Sequence, residues 1–363
     1  MEQDTVASTN ADHMEMARCS SKDTVRYRQI CRSLKQFISS RLSSREMNSA
    51  VKYNWLLDKT NGLLMHARKV LGFIIEEREA TLDRAEADNT LWYLVLVSKL
   101  GLVLERQGRY EEAEAMHRRA LEGSEEALGV EHPDTLTSVS NLGSVLERQG
   151  RYEEAEAMHR RALEGSEKAL GVQHLDTLTS VSHLGSVLER QGRYREAKAM
   201  QKRALKGRVI ELGVEHPYTL ISMSKLGSVL SRQGKYEKAE VMHRRALEGS
   251  KKVLGVEHLV TVTTMANLAS TLWSTRRWKE AEDMEVRVME TRQRVLGHEH
   301  PDTLTVINNL AFTLKSQSRN KEAISLMETC FRLRERVLGC HHPETKISLK
   351  ALNKWQMENI LYK

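Results

Sequence analysis

The sequence predicts an all-α fold, a right-handed superhelical solenoid of antiparallel helix pairs on a 42-residue repeat, and three observations predict it. The string QGRYEEAEAMHRRALEGS begins at Gln107 and again at Gln149, and looser copies begin at Gln191, Gln233, Thr275 and Gln317 at the same step. A fixed period of this length means stacked units, because one helix pair cannot bury its apolar face alone. Each period also carries two stretches with apolar residues at helical spacing. Finally, the chain has only four prolines in 363 residues, which leaves long helices unbroken.

Within one period the first helix runs over Asp134 to Arg148, with Leu136, Val139, Leu142, Val145 and Leu146 on one face. Pro133 suits its first turn, and Gly150 suits a left-handed residue after its end. The second helix runs from Tyr152 to Leu170, with Glu153 and Glu154 at its positive terminus. Gly171 closes it as a left-handed cap, a conformation that asparagine tolerates better than valine. Small residues recur where the two helices cross: Gly101, Gly143, Gly185, Gly227, Ala269 and Ala311 on the first, Ala113 and its five equivalents on the second. A large side chain there would overpack the crossing by about 1–3 kcal/mol.

The ends differ. Residues 1–22 are polar and expected to be disordered. Residues 23–89 read as a helical N-terminal cap with a degenerate repeat, residues 90–342 as the tandem repeats, and residues 343–363 as a capping helix. No apolar run reaches the roughly 20 residues of a membrane span, and the N-terminus lacks the apolar core of a secretory signal, so a cytoplasmic location is expected. The four cysteines, without a CxxC, fit a reduced compartment.

The spacing Leu142–Gly143, Leu146, Gly150, Tyr152, Ala155, Ala162–Leu163 resembles the tetratricopeptide repeat, from Leu91 to about Leu361. The longer period and the linker LGVEHPDTL resemble the kinesin-light-chain subtype, also common in fungal NTPase-linked signalling proteins. The resemblance implies a non-enzymatic scaffold whose first helices line a concave groove that holds a protein or peptide. The alternatives are a kinesin-light-chain-like cargo adaptor, or a sensor or regulatory fragment related to NTPase-linked immunity proteins. The matching groove positions are Lys99, Asn141, His183, Lys225, Asn267 and Asn309, with Asn308 beside the last. Asparagine suits the task because its amide both donates and accepts. Arg148, Arg190 and Arg232 stand at one edge and are placed to fork a carboxylate, which favours an acidic partner. The repeats 107–148 and 149–190 differ at only four places, and one of them, Asn141/His183, is a groove position.

Catalytic, cofactor and metal roles find no support in the sequence. No GxxxxGK[ST] loop is present. His132, His174, His216, His258, His300 and His342 recur at the repeat period and read as structural, as do His117, His159 and His243, expected to be partly buried between helices. His298 with His300, and Cys340 with His341 and His342, offer two or three ligands from one loop where zinc wants four that converge. The basic pairs Arg118–Arg119, Arg160–Arg161, Lys202–Arg203 and Arg244–Arg245 are interleaved with glutamates and lack stacking aromatics, which argues against nucleic acid.

Overall fold

In the computed structural model the backbone is described over residues 87–361 and the side chains over residues 93–358, all within one compact unit, 57–363. The tail expected over 1–22 and nearly all of the cap expected over 23–89 lie outside the described residues. Among the described residues every element is a helix: α1 (Ala87–Arg106), α2 (Tyr110–Leu128), α3 (Pro133–Arg148), α4 (Tyr152–Leu170), α5 (Leu175–Arg190), α6 (Tyr194–Leu212), α7 (Pro217–Arg232), α8 (Tyr236–Leu254), α9 (Leu259–Ser274), α10 (Trp278–Leu296), α11 (Pro301–Ser316), α12 (Asn320–Leu338) and α13 (Pro343–Leu361). Odd-numbered helices are the first of each pair and even-numbered helices the second. The fold is therefore an all-α repeat solenoid. First helices of successive repeats lie against each other from α1 through α11, more closely than the second helices do. The stack therefore curves with its first helices inside.

The linkers are built the same way each time. A histidine precedes each first helix from α3 onwards, and its Nδ1 accepts the backbone N–H two residues on, at 3.2 Å for His132 with Asp134. This caps a helix terminus whose donors would otherwise be unmet. The threonine in the next turn reaches back to the glycine that ended the preceding helix, as in Thr177 Oγ1 to Gly171 O at 2.8 Å. The same staple forms from Thr135, Thr219, Thr261 and Thr303.

That staple corrects one expectation. Gly171 has φ 91° and ψ 162°, not the left-handed helical conformation, because its carbonyl must turn towards Thr177. This region of backbone space is essentially closed to residues with a Cβ, asparagine included. A Cβ at Gly171 would meet nothing, so the restriction is backbone strain alone.

The helix crossing is tighter than the small-residue pattern alone implies. A Cβ on Gly143 would stand 2.7 Å from Cε1 of His159, and Gly101 and Gly227 face His117 and His243 in the same way. The imidazole lies on the bare backbone of the first helix. All three histidines are fully buried, not partly, and neither ring nitrogen of His117 or His159 has a hydrogen-bond partner. Gln201 takes the histidine's place against Gly185 and bonds the Ser182 carbonyl at 2.9 Å. Where alanine replaces the glycine, Glu285 and Met327 occupy the buried position.

Two outcomes follow for stability. Gly171→Asn and Gly171→Val should each cost about 1–3 kcal/mol, with asparagine no milder, as read from thermal melts. Burial, aided for His159 by Lys225, holds His117, His159 and His243 down to about 4, 3 and 4. The unfolded chain takes up these three protons near pH 6.5 while the folded chain stays neutral, so stability present above that pH is lost as pH falls towards 4. Glu285, pushed up to about 7 by burial, works in the opposite sense, its folded form keeping a proton through the range from 4.5 to 7. Replacing all three histidines with the glutamine found at Gln201 should therefore flatten the melting temperature's dependence on pH between 6.5 and 4.5. At its steepest the difference amounts to about 4 kcal/mol per pH unit.

Candidate functional site

The concave face carries one polar residue per first helix at the positions that the sequence singled out. Asn141 Nδ2 donates to Ser98 Oγ at 3.3 Å, and Asn267 Nδ2 donates to Ser224 Oγ at 3.1 Å. His183 Nδ1 lies 3.1 Å from Ser140 Oγ. Each link joins a repeat to the one before it. An asparagine held by one N–H keeps its second N–H and its carbonyl lone pairs for another partner. Lys99 is exposed, while Lys225 and Asn309 are half-buried on α7 and α11. Burial draws the Lys225 ammonium down to about 8, although Glu147 and Glu189 pull it the other way. His183 falls well below its ordinary value, first through burial and then through Lys225, His159 and Arg208.

Asn308 does not belong to this row. It is 7% exposed, and its Oδ1 accepts from Ser348 Oγ at 3.0 Å and Arg334 Nη1 at 3.2 Å. One residue along a helix turns a side chain by about 100°, which carries Asn308 from the concave face into the packing against α12 and α13.

The three edge arginines form a ladder with glutamates of the preceding repeat: Arg148–Glu105 at 3.9 Å, Arg190–Glu147 at 4.0 Å and Arg232–Glu189 at 3.9 Å. At the next step the two columns hold Ser231 and Ser274, and at the one after that Trp273 and Ser316, where Trp273 Nε1 donates to Ser316 Oγ at 3.0 Å. The Glu105 and Glu189 carboxyls are raised by burial against the pull of these arginines.

Two of the arginines also hold acids from much further along the chain. Arg148 Nη1 bonds Asp302 Oδ1 at 3.0 Å, and Arg190 lies 3.8 Å from Glu344. Alongside, His300 Nε2 donates to Arg106 O at 2.8 Å and His342 Nε2 to Arg148 O at 3.0 Å. The rings of Pro301 and Pro343 sit against Gly108 and Gly150, where a Cβ would approach within 2.5 and 2.7 Å. The solenoid has therefore completed a turn, and the ends of α1 and α3 touch the starts of α11 and α13. Burial would raise the Asp302 carboxyl, but Arg148, Arg292 and His300 hold it well below the ordinary range. The carboxylates that Arg148 and Arg190 were expected to take from a partner are supplied by the chain itself. Arg232 keeps only its distant contact with Glu189, its side chain 64% accessible.

Sequence reading missed a column of buried cations. Serine stands at 124, 166 and 250, but Arg208, Arg292 and Arg334 stand at the equivalent places. Arg334 pairs with Glu344 at 2.5 Å, and Arg292 donates to Asp302 O at 2.7 Å. Arg208 bonds only neutral groups, Ser222 Oγ at 2.8 Å, Thr179 Oγ1 at 2.9 Å and Tyr218 O at 3.4 Å, and burial pulls it to about 10. The signal was a serine-to-arginine change inside an otherwise conservative column.

On the outer face, Arg118, Arg160 and Arg244 each pair with the glutamate four residues earlier, at 2.7–2.8 Å. Both nitrogens of His300 and of His342 are spent on capping and on the contact between turns. Among the described residues no group of three or more His, Cys, Asp or Glu side chains is arranged to hold a metal ion, and no helix is long and apolar enough to cross a membrane. Cys330 is buried, with Sγ on the Leu304 carbonyl at 3.3 Å. Asp302→Asn should lower stability by about 1 kcal/mol, as an ion pair only partly shielded from water, and the loss should shrink in 1 M salt. Denaturant titrations at two salt concentrations measure both.

The sequence profile described as Tetratricopeptide repeat matches residues 93–168, 138–208, 176–252, 218–293 and 263–334. No curated protein matches the sequence. Among solved structures, the putative kinesin light chain of Podosopora anserina, with nearly identical TPR-like repeats, is 22% identical, covers 56% of this chain and 97% of its own, and gives a TM-score of 0.43. BtubC (BKLC) from P. vanneervenii is 22% identical over 66% of this chain and 94% of its own, with a TM-score of 0.44. A Rap protein complexed with Competence and Sporulation Factor is 13% identical over 93% of this chain and 97% of its own, with a TM-score of 0.53. At these identities the likeness is one of fold. The profile spans most of the described repeats, and the chain belongs to the tetratricopeptide repeat family.

Proposed function

We propose that this protein is a non-enzymatic scaffold that holds a segment of another protein, or a peptide, against the inner face of its solenoid. The observation that carries the reading is the row of inter-repeat amides. Asn141 and Asn267 are oriented by serines of the preceding repeat, yet each retains a donor and an acceptor of the kind a peptide backbone needs. Pre-orientation lowers the entropy lost on binding. The Rap protein of similar fold, solved with Competence and Sporulation Factor bound, is a precedent for a solenoid that holds a partner.

The charges favour an acidic segment. Among the described residues Arg208 has no carboxylate partner, Lys225 is half-buried, and Arg232 is the edge arginine not engaged by a later turn. These three cations all belong to the middle repeats, on α6 and α7. On this reading the partner's acid meets Arg232 and not Arg148 or Arg190, whose acids are Asp302 and Glu344.

Peptides selected from a random display library against the full chain supply the test. Changing Asn141, Asn267 and Asn309 together to alanine should weaken a selected peptide about ten- to a thousand-fold, at roughly 0.5–1.5 kcal/mol for each hydrogen bond lost. Arg232→Glu should weaken acidic peptides most at low salt. Arg160→Ala, on the outer face, should change little. Equal losses from the Arg160 change and the asparagine changes would place binding outside the groove and sink the reading.

A further inference from the structure

The outer junctions between repeats share one device, and one junction inverts it. The residue before each second helix from α4 on is an arginine or a lysine, and it meets one side chain from its own first turn and one from the preceding second helix. Arg151 bonds Glu154 at 2.5 Å and Glu114 at 2.8 Å. Arg193 bonds Glu196 at 2.6 Å and Glu156 at 2.7 Å, and Arg277 bonds Glu280 at 2.6 Å and Glu240 at 2.7 Å. Arg319 bonds Glu322 at 2.6 Å and Glu282 at 2.5 Å. Four junctions thus bring carboxylate, guanidinium and carboxylate together.

Between α6 and α8 the same three positions hold Lys198, Lys235 and Lys238. The scaffold that elsewhere converges two acids on one cation here converges three cations, changing the charge of the triad from one negative to three positive. None of the three has a carboxylate partner among the described residues. Lys235 Nζ donates to Gln233 Oε1 at 3.1 Å. In other junctions the matching glutamine bonds the glutamate, as Gln149 Nε2 does to Glu114 at 2.8 Å and Gln317 Nε2 to Glu282 at 3.0 Å. Gln233 Nε2 donates to Tyr194 O at 3.0 Å, a bond that Gln317 also makes, to Trp278 O at 3.2 Å, beside its glutamate. Lys198 is half-buried, and the nearest strong influence on its ammonium is repulsion from Lys235, which lowers it, with Lys202 and Lys238 adding to the effect.

An open cleft of about 810 Å³ lies at this place, lined by Arg193, Arg195, Lys198, Gln233 and Lys235 among others, with Lys238 outside its lining. Glu196 also lines it, but both of its oxygens are taken by Arg193, at 2.8 and 2.6 Å. Lys235 is the N-cap of α8 and Lys238 lies in its first turn, so the positive end of the helix adds to the charge there. Like charges are brought together at a cost unless a counter-charge joins them.

We propose that Lys198, Lys235 and Lys238 form a binding site for a doubly charged phosphate group. A phosphate monoester carries about −1.5 to −2 charges at neutral pH and three acceptor oxygens, one for each ammonium. Lysine binds such a group as a point charge and needs no planar fork, which fits the loss of the arginine as well as of both glutamates. The group reaches the site either as a free oxyanion or on a phosphorylated side chain of a partner. The site lies on the outer face and is independent of the groove on the first helices.

The decisive variant rebuilds the ordinary junction: Lys198→Glu with Lys235→Arg and Lys238→Glu. Without ligand, this variant should melt higher than the wild-type chain. Inorganic phosphate should raise the wild-type melting temperature beyond sodium chloride at equal ionic strength, and calorimetry should show binding that is at least about tenfold weaker in the variant. The single change Lys198→Gln, which keeps the helix and removes one cation, should give an intermediate loss and stands in if the triple variant does not fold. A phosphoserine peptide with neutral flanks, compared with its serine form, separates the two sources. Tighter binding of the phosphopeptide than of inorganic phosphate assigns the site to a modified side chain, and weaker binding assigns it to the free ion. An equal response to chloride and phosphate, or equal phosphate binding by the wild-type and rebuilt chains, would overturn the proposal.

Discussion

The geometry of the stack depends on the contact between a glycine on the first helix and a ring on the second. Gly143 leaves bare backbone, and the His159 ring packs against it with no hydrogen bond to either nitrogen. The two helices approach as nearly as a polypeptide allows, and the angle between them is then set by backbone rather than by adjustable side chains. Repeating the pair at Gly101–His117 and Gly227–His243, and with glutamine at Gly185–Gln201, repeats the angle. Because every repeat inherits nearly the same geometry, small rotations accumulate without being averaged away, and the stack returns on itself after a definite number of repeats.

That return explains why charges similar along the sequence do different work. Arg148, Arg190 and Arg232 occupy equivalent positions and face equivalent glutamates. Only the first two are reached by later acids, Asp302 and Glu344. The solenoid thereby closes its edge at one end and leaves Arg232, in the middle repeats, without an acid from a later turn. The outer face shows the same logic in reverse. Four junctions neutralise their arginine, and the fifth, at Lys198, Lys235 and Lys238, accumulates charge. In both places a departure from the period, more than the period itself, changes the local charge.

Much of the fold was legible in the residues. The period, the helix pair within it, the proline at the start of a first helix and the small residues at the crossing are local patterns, and each survives translation into coordinates because helical periodicity and stacking are local rules. The linker was less legible. Gly171 looked like a left-handed cap, but the demand of Thr177 on its carbonyl moved it to φ 91° and ψ 162°. The groove was legible in part: a position that faces inward in one helix predicts the same position in the next, whereas the adjacent Asn308 turned into the packing with Arg334.

The sequence by itself determined that this is a stack of 42-residue tetratricopeptide-type helix pairs and which residues share a column from one repeat to the next, because both depend on spacings of a few residues. Only the tertiary structure decided which charges are already spent. The contacts of His300 with Arg106 and of Arg148 with Asp302 join residues 194 and 154 positions apart. Their existence depends on the summed twist of many repeats, a quantity that no single spacing in the sequence contains.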